Sequence, residues 1–321
     1  MSIKIIEYNE SWKSRWDNFV INSSNGTVFH LQKFFEYHRP GKFTFNHLIF
    51  LENNEIIAVL PGAIVNNGYE SPIGASYGSI VTHDLKFDLA LKIVDELLAY
   101  GKVYGFKEIT LTSAPMVYET FPNQNLDFAL LWRDFKYSLH YISSAIKLEP
   151  ELDILQRFAP TTRRNVRKYL HDNDLRVEIN DRLDEFYPIL IENKARHNTK
   201  PTHSYEDLIK LRELLPEMQK LFMVYYKDEP IAGSLLFICN KNVSLCFYNM
   251  LRYDFQYLKP IQRVMYEVVK WSTENGFKYV DIGVSQDTKV ANPMTPSLSL
   301  IEFKEKFDAK TIMRNTLRYI Y

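Results

Sequence analysis

Two distant stretches of the chain repeat each other, and this duplication limits the possible folds more than any other feature. The segment 229–232 (Glu-Pro-Ile-Ala) lies 174 residues after 55–58 (Glu-Ile-Ile-Ala), and each introduces an apolar run. The segment 276–278 (Gly-Phe-Lys) lies 171 residues after 105–107, where it ends a helical pattern and opens a strand. Because solenoid units span only ~20–50 residues, so long a repeat indicates two copies of a whole domain.

The composition is that of an ordinary globular chain. Its 321 residues suit about two domains of roughly 100–200 residues each. Hydrophobic residues make up 46% and charged residues 24%, so two packed cores are possible. Lys plus Arg equals Asp plus Glu at 39 each, so the net charge draws no polyanion and nucleic-acid binding needs a local patch. We predict an N-terminal domain at 1–148 and a C-terminal domain at 149–321.

The sequence also predicts where the protein resides. Its N-terminus lacks the apolar core of a signal peptide. No apolar stretch approaches the ~20 residues that a membrane span needs. Cys239 and Cys246 lie in one predicted hairpin and are expected to be buried thiols, as in a reducing compartment. We therefore expect a soluble, cytoplasmic protein.

Both copies are predicted to contain the same order of elements. The first has a strand pair, a helix and a further strand, at 43–51, 56–65, 85–104 and 106–112. The second has three strands, a helix and a final strand, at 221–226, 231–239, 243–250, 261–275 and 277–282. Short links favour antiparallel neighbours, whereas a strand that follows a helical crossover should be parallel to its predecessor.

Four motifs follow one another over residues 155–310 of the second half: 163–168, 230–237, 276–283 and 303–307. In this order they resemble the FemAB family of acyl- and aminoacyltransferases, whose members pair two GNAT-like domains. The resemblance implies an α/β (α+β) fold. Each of the two GNAT-like domains would be a mostly antiparallel mixed sheet flanked by helices.

The same resemblance implies an enzyme that transfers an acyl group from an activated donor to an amine. We expect acetyl-CoA or another acyl-CoA as co-substrate, an amino sugar or envelope peptide as acceptor, and no metal. The best-known family members use aminoacyl-tRNA, so aminoacyl transfer is a first alternative. A duplicated scaffold that only binds a ligand is a second.

One departure from the pattern keeps both alternatives open. GNAT enzymes that bind acetyl-CoA usually have a glycine-containing loop before the crossover helix, where backbone N–H groups hold the pyrophosphate. The corresponding segment, 251–260, has no glycine, and none occurs between Gly233 and Gly276. A helix N-terminus still attracts anions, but close backbone approach to two phosphates is harder without glycine. The zero net charge argues against tRNA, whose binding depends on phosphate contacts.

Two groups of residues are candidates for the donor. Four cations crowd one predicted helix, where i,i+4 neighbours repel unless an anion compensates: Arg163, Arg164, Arg167 and Lys168. Guanidinium groups match phosphate oxygens, although a solvated helix face is the alternative. Tyr248 and Asn249 end the strand before the crossover helix, where GNAT folds open a wedge beside the acyl donor. A core position is the alternative for the tyrosine.

Lys304 and Asp281 are the candidates for catalysis. Lys304 belongs to the Phe-Lys pair that faces the reaction site in the FemAB-like pattern. A cation there could stabilise the oxyanion by ~3–4 kcal/mol. A surface lysine between Glu302 and Glu305 is the alternative. Asp281 ends the strand after the crossover helix and could accept the amine proton if its pKa is raised, or it could cap a turn.

The acceptor candidates are Lys194, His197, Lys200 and Ser285. The first three lie in the polar segment 193–203, which is predicted to join two helices and resembles the acceptor-side loop of the family. His197 and His203 have no metal-ligand partners at useful spacing, so no zinc site is expected.

Overall fold

The computed structural model describes residues 3–196 and 198–321, which divide into two compact units. The first comprises Met1–Ile142 and Ile312–Tyr321, and the second comprises Ser143–Thr311. The predicted boundary at residue 148 thus falls inside the second unit. The last residues, predicted in the second domain, belong to the first because Thr316–Ile320 pairs with a strand there.

The first unit builds a four-stranded sheet and a second group of strands. Its elements are β1 (Lys4–Glu7), α1 (Lys13–Asn22), α2 (Gln32–Phe35), β2 (Leu48–Glu52), β3 (Glu55–Leu60), β4 (Ala63–Val65), β5 (Gly68–Ser71), β6 (Val81–Thr82), α3 (Phe87–Tyr104), β7 (Glu108–Thr112), α4 (Asn125–Trp132) and β8 (Lys136–Lys147), whose end belongs to the second unit. The four-stranded sheet has the order β1-β2-β3-β6. In the second group, β4 pairs antiparallel with β5, and β5 pairs parallel with β7.

The second unit is a mixed sheet with helices on both faces. Its elements are α5 (Ile154–Arg157), α6 (Pro160–Leu170), β9 (Leu175–Asn180), α7 (Leu183–Arg196), α8 (Tyr205–Leu214), β10 (Gln219–Tyr226), β11 (Glu229–Ile238), β12 (Val243–Leu251), α9 (Pro260–Glu274), β13 (Tyr279–Val284) and α10 (Leu298–Glu305). The last strand, β14 (Lys310–Ile320), starts in this unit, and its residues from Ile312 onward belong to the first. The sheet order is β8-β13-β12-β11-β10-β9, and only β12 and β13 are parallel. Alternate residues of β10 enter different cores: Phe222 packs in the cluster of α6 and α9, and Met223 in that of α7 and α8.

The duplication extends to the backbone of two hairpins. Both turn residues have positive φ in each: 51° and 64° at Asn53 and Asn54, and 48° and 70° at Lys227 and Asp228. Two-residue turns of this kind match the twist of antiparallel strands. The first strand of each hairpin, β2 and β10, also has a register shift at the equivalent position before the turn. The two copies therefore share a hydrogen-bond pattern as well as a sequence pattern.

The crossover helices α3 and α9 end in the same way. Gly105 and Gly276 follow them with φ of 71° and 78°. The next N–H groups, of Phe106 and Phe277, donate back to Gly101 and Ser272 at 2.9 and 3.1 Å. This six-to-one hydrogen bond, together with a left-handed glycine, is a Schellman motif and ends the helix where the following strand begins.

We expect Gly276→Ala to lower the free energy of unfolding by about 1–2 kcal/mol because a left-handed backbone strains a residue with a Cβ. Nothing lies within 4 Å of a Cβ added at Gly276, so the loss reports backbone strain and not a clash. Denaturant unfolding measures the effect. Gly276→Asn is the matched control and should lose less, since asparagine tolerates this conformation. Equal stability of the wild type, Gly276→Ala and Gly276→Asn would show that the left-handed backbone at position 276 causes no strain.

Two local predictions were wrong. The strand predicted at 56–65 is divided into β3 and β4 at Pro61 and Gly62. Pro61 has no N–H for the ladder, and a Cβ on Gly62 would lie 2.6 Å from the Tyr69 ring. The segment 193–203, predicted to join two helices, begins inside α7, so Asn193 and Lys194 are helical.

Candidate active site

The two parallel strands of the second unit separate along their length. Pairing joins Val243–Leu245 of β12 to Tyr279–Asp281 of β13. Beyond these residues β12 continues to Leu251 and β13 to Val284, with no further pairing between them in the described chain. A register shift in β12 near Phe247 accompanies the separation. The backbone edges that face each other beyond Leu245 and Asp281 are therefore available to a ligand.

Lys304 of α10 is buried at this separation. Only 4% of its surface is exposed, and Nζ donates to the carbonyl oxygens of Gly283 and Val284 at 2.6 and 3.0 Å. These bonds use two of the three ammonium hydrogens. Burial lowers the pKa of Lys304 to about 8, and the nearby charge of Asp281 opposes that shift. Lys304 therefore remains mainly protonated at pH 7, with one hydrogen left to donate.

Asp281 of β13 is fully buried beside it. Its Oδ1 accepts hydrogen bonds from the Ser143 hydroxyl at 2.9 Å and from the Gly283 N–H at 2.7 Å. Gly283 has a φ of 75°, so the carboxylate fixes the left-handed turn whose carbonyl oxygen binds Lys304. These contacts favour a positioning role for Asp281, and its role as the base stays a prediction.

Cys246 of β12 is the third group of this cluster, and its chemistry is inert. Burial, with a smaller contribution from the charge of Asp281, raises the pKa of its thiol to about 12. The thiol is therefore neutral and not a nucleophile at physiological pH. Sequence reasoning placed Cys246 in a buried strand but missed its proximity to Lys304. It also missed Ser143, which lies 138 residues from Asp281 in sequence, so no local pattern joins them.

Several buried polar atoms near the strand ends have no hydrogen-bond partner within the described residues. They are Asn249 Oδ1 at the end of β12, Ser285 Oγ just past β13, and both amide atoms of Gln286. The amide nitrogen of Asn249 lies 3.5 Å from the Met265 sulfur, and the Asn249 side chain also interacts with the Cys246 thiol. Because an unsatisfied buried polar group costs about 1–3 kcal/mol, these atoms are suited to pair with a bound ligand.

The predicted donor cations lie on α6, next to the start of α9. Asn165 donates to Gln262 Oε1 at 3.0 Å, which ties α6 to the first turn of α9. Arg163 is half-buried and donates to Gln156 at 2.6 Å. The other three cations, Arg164, Arg167 and Lys168, are exposed. None of the four forms an ion pair with a carboxylate in the part of the chain that the structure describes.

The acceptor candidates are not brought together. Lys194 lies on α7, where its Nζ is 5.9 Å from the Tyr248 ring and burial lowers the pKa of Lys194. Tyr248 itself, a predicted donor residue, packs in the core beside α7 and α8. The Tyr248 hydroxyl is engaged by His203 Nδ1 at 3.1 Å. Lys200 is exposed in a link between helices, and Ser285 is fully buried near Lys304. His197 lies outside the described residues.

Metal-binding clusters and membrane-spanning helices are both absent from residues 3–196 and 198–321. No group of three or more His, Cys, Asp or Glu residues is arranged to hold a metal ion. No helix in the same ranges has the length and apolar character needed to cross a membrane.

Comparison with protein families connects this geometry to a known domain. Residues 156–289 match the acetyltransferase (GNAT) domain family. This stretch, less than half of the chain, is similar in sequence to a GNAT acetyltransferase domain. This match includes α6, the separated strands β12 and β13, and the crossover helix α9 between them. The predicted enzyme class, a GNAT-type acyltransferase, is confirmed. A comparison with curated proteins by sequence finds no match.

Solved structures show that the similarity covers the whole chain. FemX has a TM-score of 0.72 and 14% identity, with 99% of this chain and 97% of that one covered. The C-terminal domain of a putative lysylphosphatidylglycerol synthetase from Agrobacterium fabrum has a TM-score of 0.62, 12% identity and coverage of 97% and 92%. A tandem GNAT protein from the clavulanic acid biosynthesis pathway has a TM-score of 0.56, 6% identity and coverage of 99% and 98%. The FemAB-like resemblance and the fold of two GNAT-like domains are confirmed.

Proposed function

We propose that the protein transfers an acyl group, acetyl in the first instance, from acyl-CoA to the amine of a cell-envelope sugar or peptidoglycan precursor. The observation that carries the proposal is Lys304, a buried cation with a hydrogen to spare where two parallel strands separate. The GNAT match over residues 156–289 supports the reaction class.

The proposed step forms one bond and breaks one. The neutral amine nitrogen attacks the thioester carbonyl carbon, and the carbonyl oxygen becomes an oxyanion. Lys304 donates its remaining hydrogen to that oxyanion, while Gly283 and Val284 hold the ammonium in place. Collapse breaks the carbon–sulfur bond, giving an amide and free coenzyme A. The proton that the nitrogen loses balances the one that the thiolate gains.

The residues near the separated strands fit a donor of this shape. A pantetheine arm is an extended chain with two amides, which can pair with the free edge of a strand. Asn249 Oδ1, buried without a partner, is an acceptor for an amide N–H. The cations of α6 and the N-terminus of α9 supply positive charge for phosphates, and Asn165 bonded to Gln262 holds the two helices together. Alignment of donor and amine alone could supply ~7–11 kcal/mol.

Calorimetric titration with acetyl-CoA, longer acyl-CoAs and free coenzyme A tests the donor. We expect micromolar binding that weakens at least tenfold in Arg163→Ala/Arg167→Ala, since a charge-assisted hydrogen bond contributes about 1.5–3 kcal/mol. Arg182→Ala is the matched control, because Arg182 is an exposed arginine of the same unit that is already paired with Asp184. Absence of binding to all of these compounds would exclude a thioester donor.

Aminoacyl-tRNA is the second candidate donor, and the glycine-free segment before α9 favours it. Lys259, with a φ of 53°, is the N-cap of α9. In a GNAT enzyme that binds acetyl-CoA, the glycine loop that contacts the pyrophosphate would end at about this position. A structural neighbour is named as a putative lysylphosphatidylglycerol synthetase. This reading predicts tRNA binding that weakens steeply with salt, because phosphate contacts release counterions. Binding of acyl-CoA with no binding of tRNA at low salt would exclude it.

A further inference from the structure

The first unit contains a cavity of 290 Å³ between β1, α2 and the segment before β2. It is separate from the residues of the proposed transfer site, all of which belong to the second unit. Three glutamates line it, Glu7, Glu10 and Glu36. The rest of its wall combines aromatic rings with the half-buried Asn46 and two buried polar side chains, Gln32 and His47.

The carboxylates give the cavity a net negative charge. Glu7 accepts hydrogen bonds from the hydroxyls of Tyr100 and Tyr104 at 3.1 and 2.5 Å and forms no ion pair with a cation of the described residues. Glu36 forms an ion pair with Lys13. Glu10 has no ion pair within residues 3–196 and 198–321. Only one of the three carboxylates is thus paired with a lysine, and a positively charged ligand would neutralise part of the remaining negative charge.

The side-chain amide of Gln32 requires a hydrogen-bond acceptor from the ligand in addition to its positive charge. Its side chain is 5% exposed, and Nε2 has no hydrogen-bond partner in the described structure. The backbone N–H of Gln32 donates to Asp17 Oδ1 at 2.6 Å, which fixes the start of α2. A buried amide donor without an acceptor is costly and uncommon. The ligand should therefore offer an oxygen to Gln32.

His47 provides a second neutral donor on the same wall. Its Nδ1 accepts the Gly62 N–H at 3.1 Å, so the proton of the neutral ring is on Nε2. Burial lowers the pKa of His47 to about 3, and the ring stays neutral at physiological pH. Phe45 stacks on it at 4.8 Å, and Phe35 lies 4.7 Å away. Such rings can contact a cation or a short aliphatic group.

We propose that this cavity binds a small primary ammonium compound with a carbonyl or carboxylate oxygen next to the ammonium group. A free amino acid and the amino end of a peptide share this chemistry. The ammonium group contacts the glutamates, and the oxygen accepts from Gln32 Nε2 and His47 Nε2. The proposal does not depend on the acyl-transfer function.

Calorimetry with four probes tests the ligand class on the full-length protein. L-alanine and L-alanyl-L-alanine carry both groups, N-acetyl-L-alanine lacks the ammonium group, and isopropylamine lacks the oxygen. We expect saturable binding of at least one of the first two, and binding at least tenfold weaker for the last two. A tighter dipeptide identifies a peptide end as the ligand, and a tighter alanine identifies a free amino acid. Absence of binding to both, or equal binding of N-acetyl-L-alanine, overturns the proposal.

Two substitutions place the binding in this cavity. Glu10→Gln removes an exposed carboxylate and should weaken binding at least tenfold with no loss of fold. Gln32→Leu should weaken the oxygen-bearing probes but leave isopropylamine unchanged. Glu55→Gln is the matched control, because Glu55 is a largely exposed glutamate of the same unit outside the cavity. Should Gln32→Leu fail to fold, Glu10→Gln alone decides. Wild-type affinity in Glu10→Gln refutes the proposed site.

Discussion

Lys304→Ala should lower the turnover number of acyl transfer about 10²–10³-fold, the usual loss when one preorganised oxyanion donor is removed. Lys304 is buried, and two carbonyl oxygens hold its Nζ in one orientation. A donor held in advance needs no reorganisation during the reaction. We expect KM to change little, because the oxyanion forms only in the transition state.

The same substitution should change the pH dependence of the rate. Because the pKa of Lys304 is lowered to about 8, the stabilising cation is lost as the pH rises through that value. The ratio of wild-type to Lys304→Ala turnover should therefore fall above pH 8. Taking the ratio cancels the titration of the acceptor amine, which affects both proteins equally.

Lys306→Ala is the matched control for Lys304→Ala. Lys306 lies two residues away and is exposed, so its loss should leave the rate unchanged. Denaturant unfolding of each variant separates a lost fold from lost chemistry. A folded Lys304→Ala protein with full turnover would falsify the proposed role.

Asp281→Ala should lower the free energy of unfolding by about 3 kcal/mol, because charged groups form strong hydrogen bonds and buried partners are costly to leave unpaired. The substitution removes the acceptor for Ser143 and for the Gly283 N–H in a fully buried site. It also removes the negative charge that partly offsets the burial of Lys304. Chemical denaturation with a probe in the second unit measures the loss.

Asp281→Asn keeps the shape of the side chain and tests the electrostatics. Since the charge of Asp281 raises the pKa of Lys304, its removal should move the alkaline fall in activity below pH 8. A base at position 281 predicts a different result, namely a large loss of turnover at every pH. Asp287→Asn, a partly exposed neighbour, is the control and should leave the pH profile unchanged. An unshifted profile in Asp281→Asn would mean that the two groups do not interact.

Much of the fold could be predicted because its signals are local. The two-residue turns at 53–54 and 227–228, and the glycines that end α3 and α9, lie within a few residues of the backbone they determine. The helix α9 was predicted one residue from its observed ends, since its apolar period and its flanking Pro260 and Gly276 are adjacent in sequence. The break between β3 and β4 was missed. Pro61 interrupts the strand because it cannot donate a hydrogen bond to a neighbouring strand, and the sequence alone does not show which strand that neighbour is.

The candidate site was predicted only in part, because the sequence does not show which of its side chains are buried. The motif around Lys304 named the residue, but the alternation with Glu302 and Glu305 fitted a surface helix equally well. Its burial depends on α10 reaching the ends of β12 and β13, which are distant in sequence. Likewise, the sequence offered the cations of α6 as a donor contact, but it did not show that Asn165 ties them to the start of α9.

The sequence by itself determined that the protein is a duplicated α/β domain, since helix ends, tight turns and hydrophobic period are properties of neighbouring residues. The tertiary structure alone decided that Lys304, Asp281, Cys246 and Ser143 form one buried cluster and that the last strand returns to the first unit. Those relations depend on strand pairing and packing between residues that are far apart in the chain. The pKa of Lys304 is lowered to about 8 because the folded protein excludes water from its ammonium group.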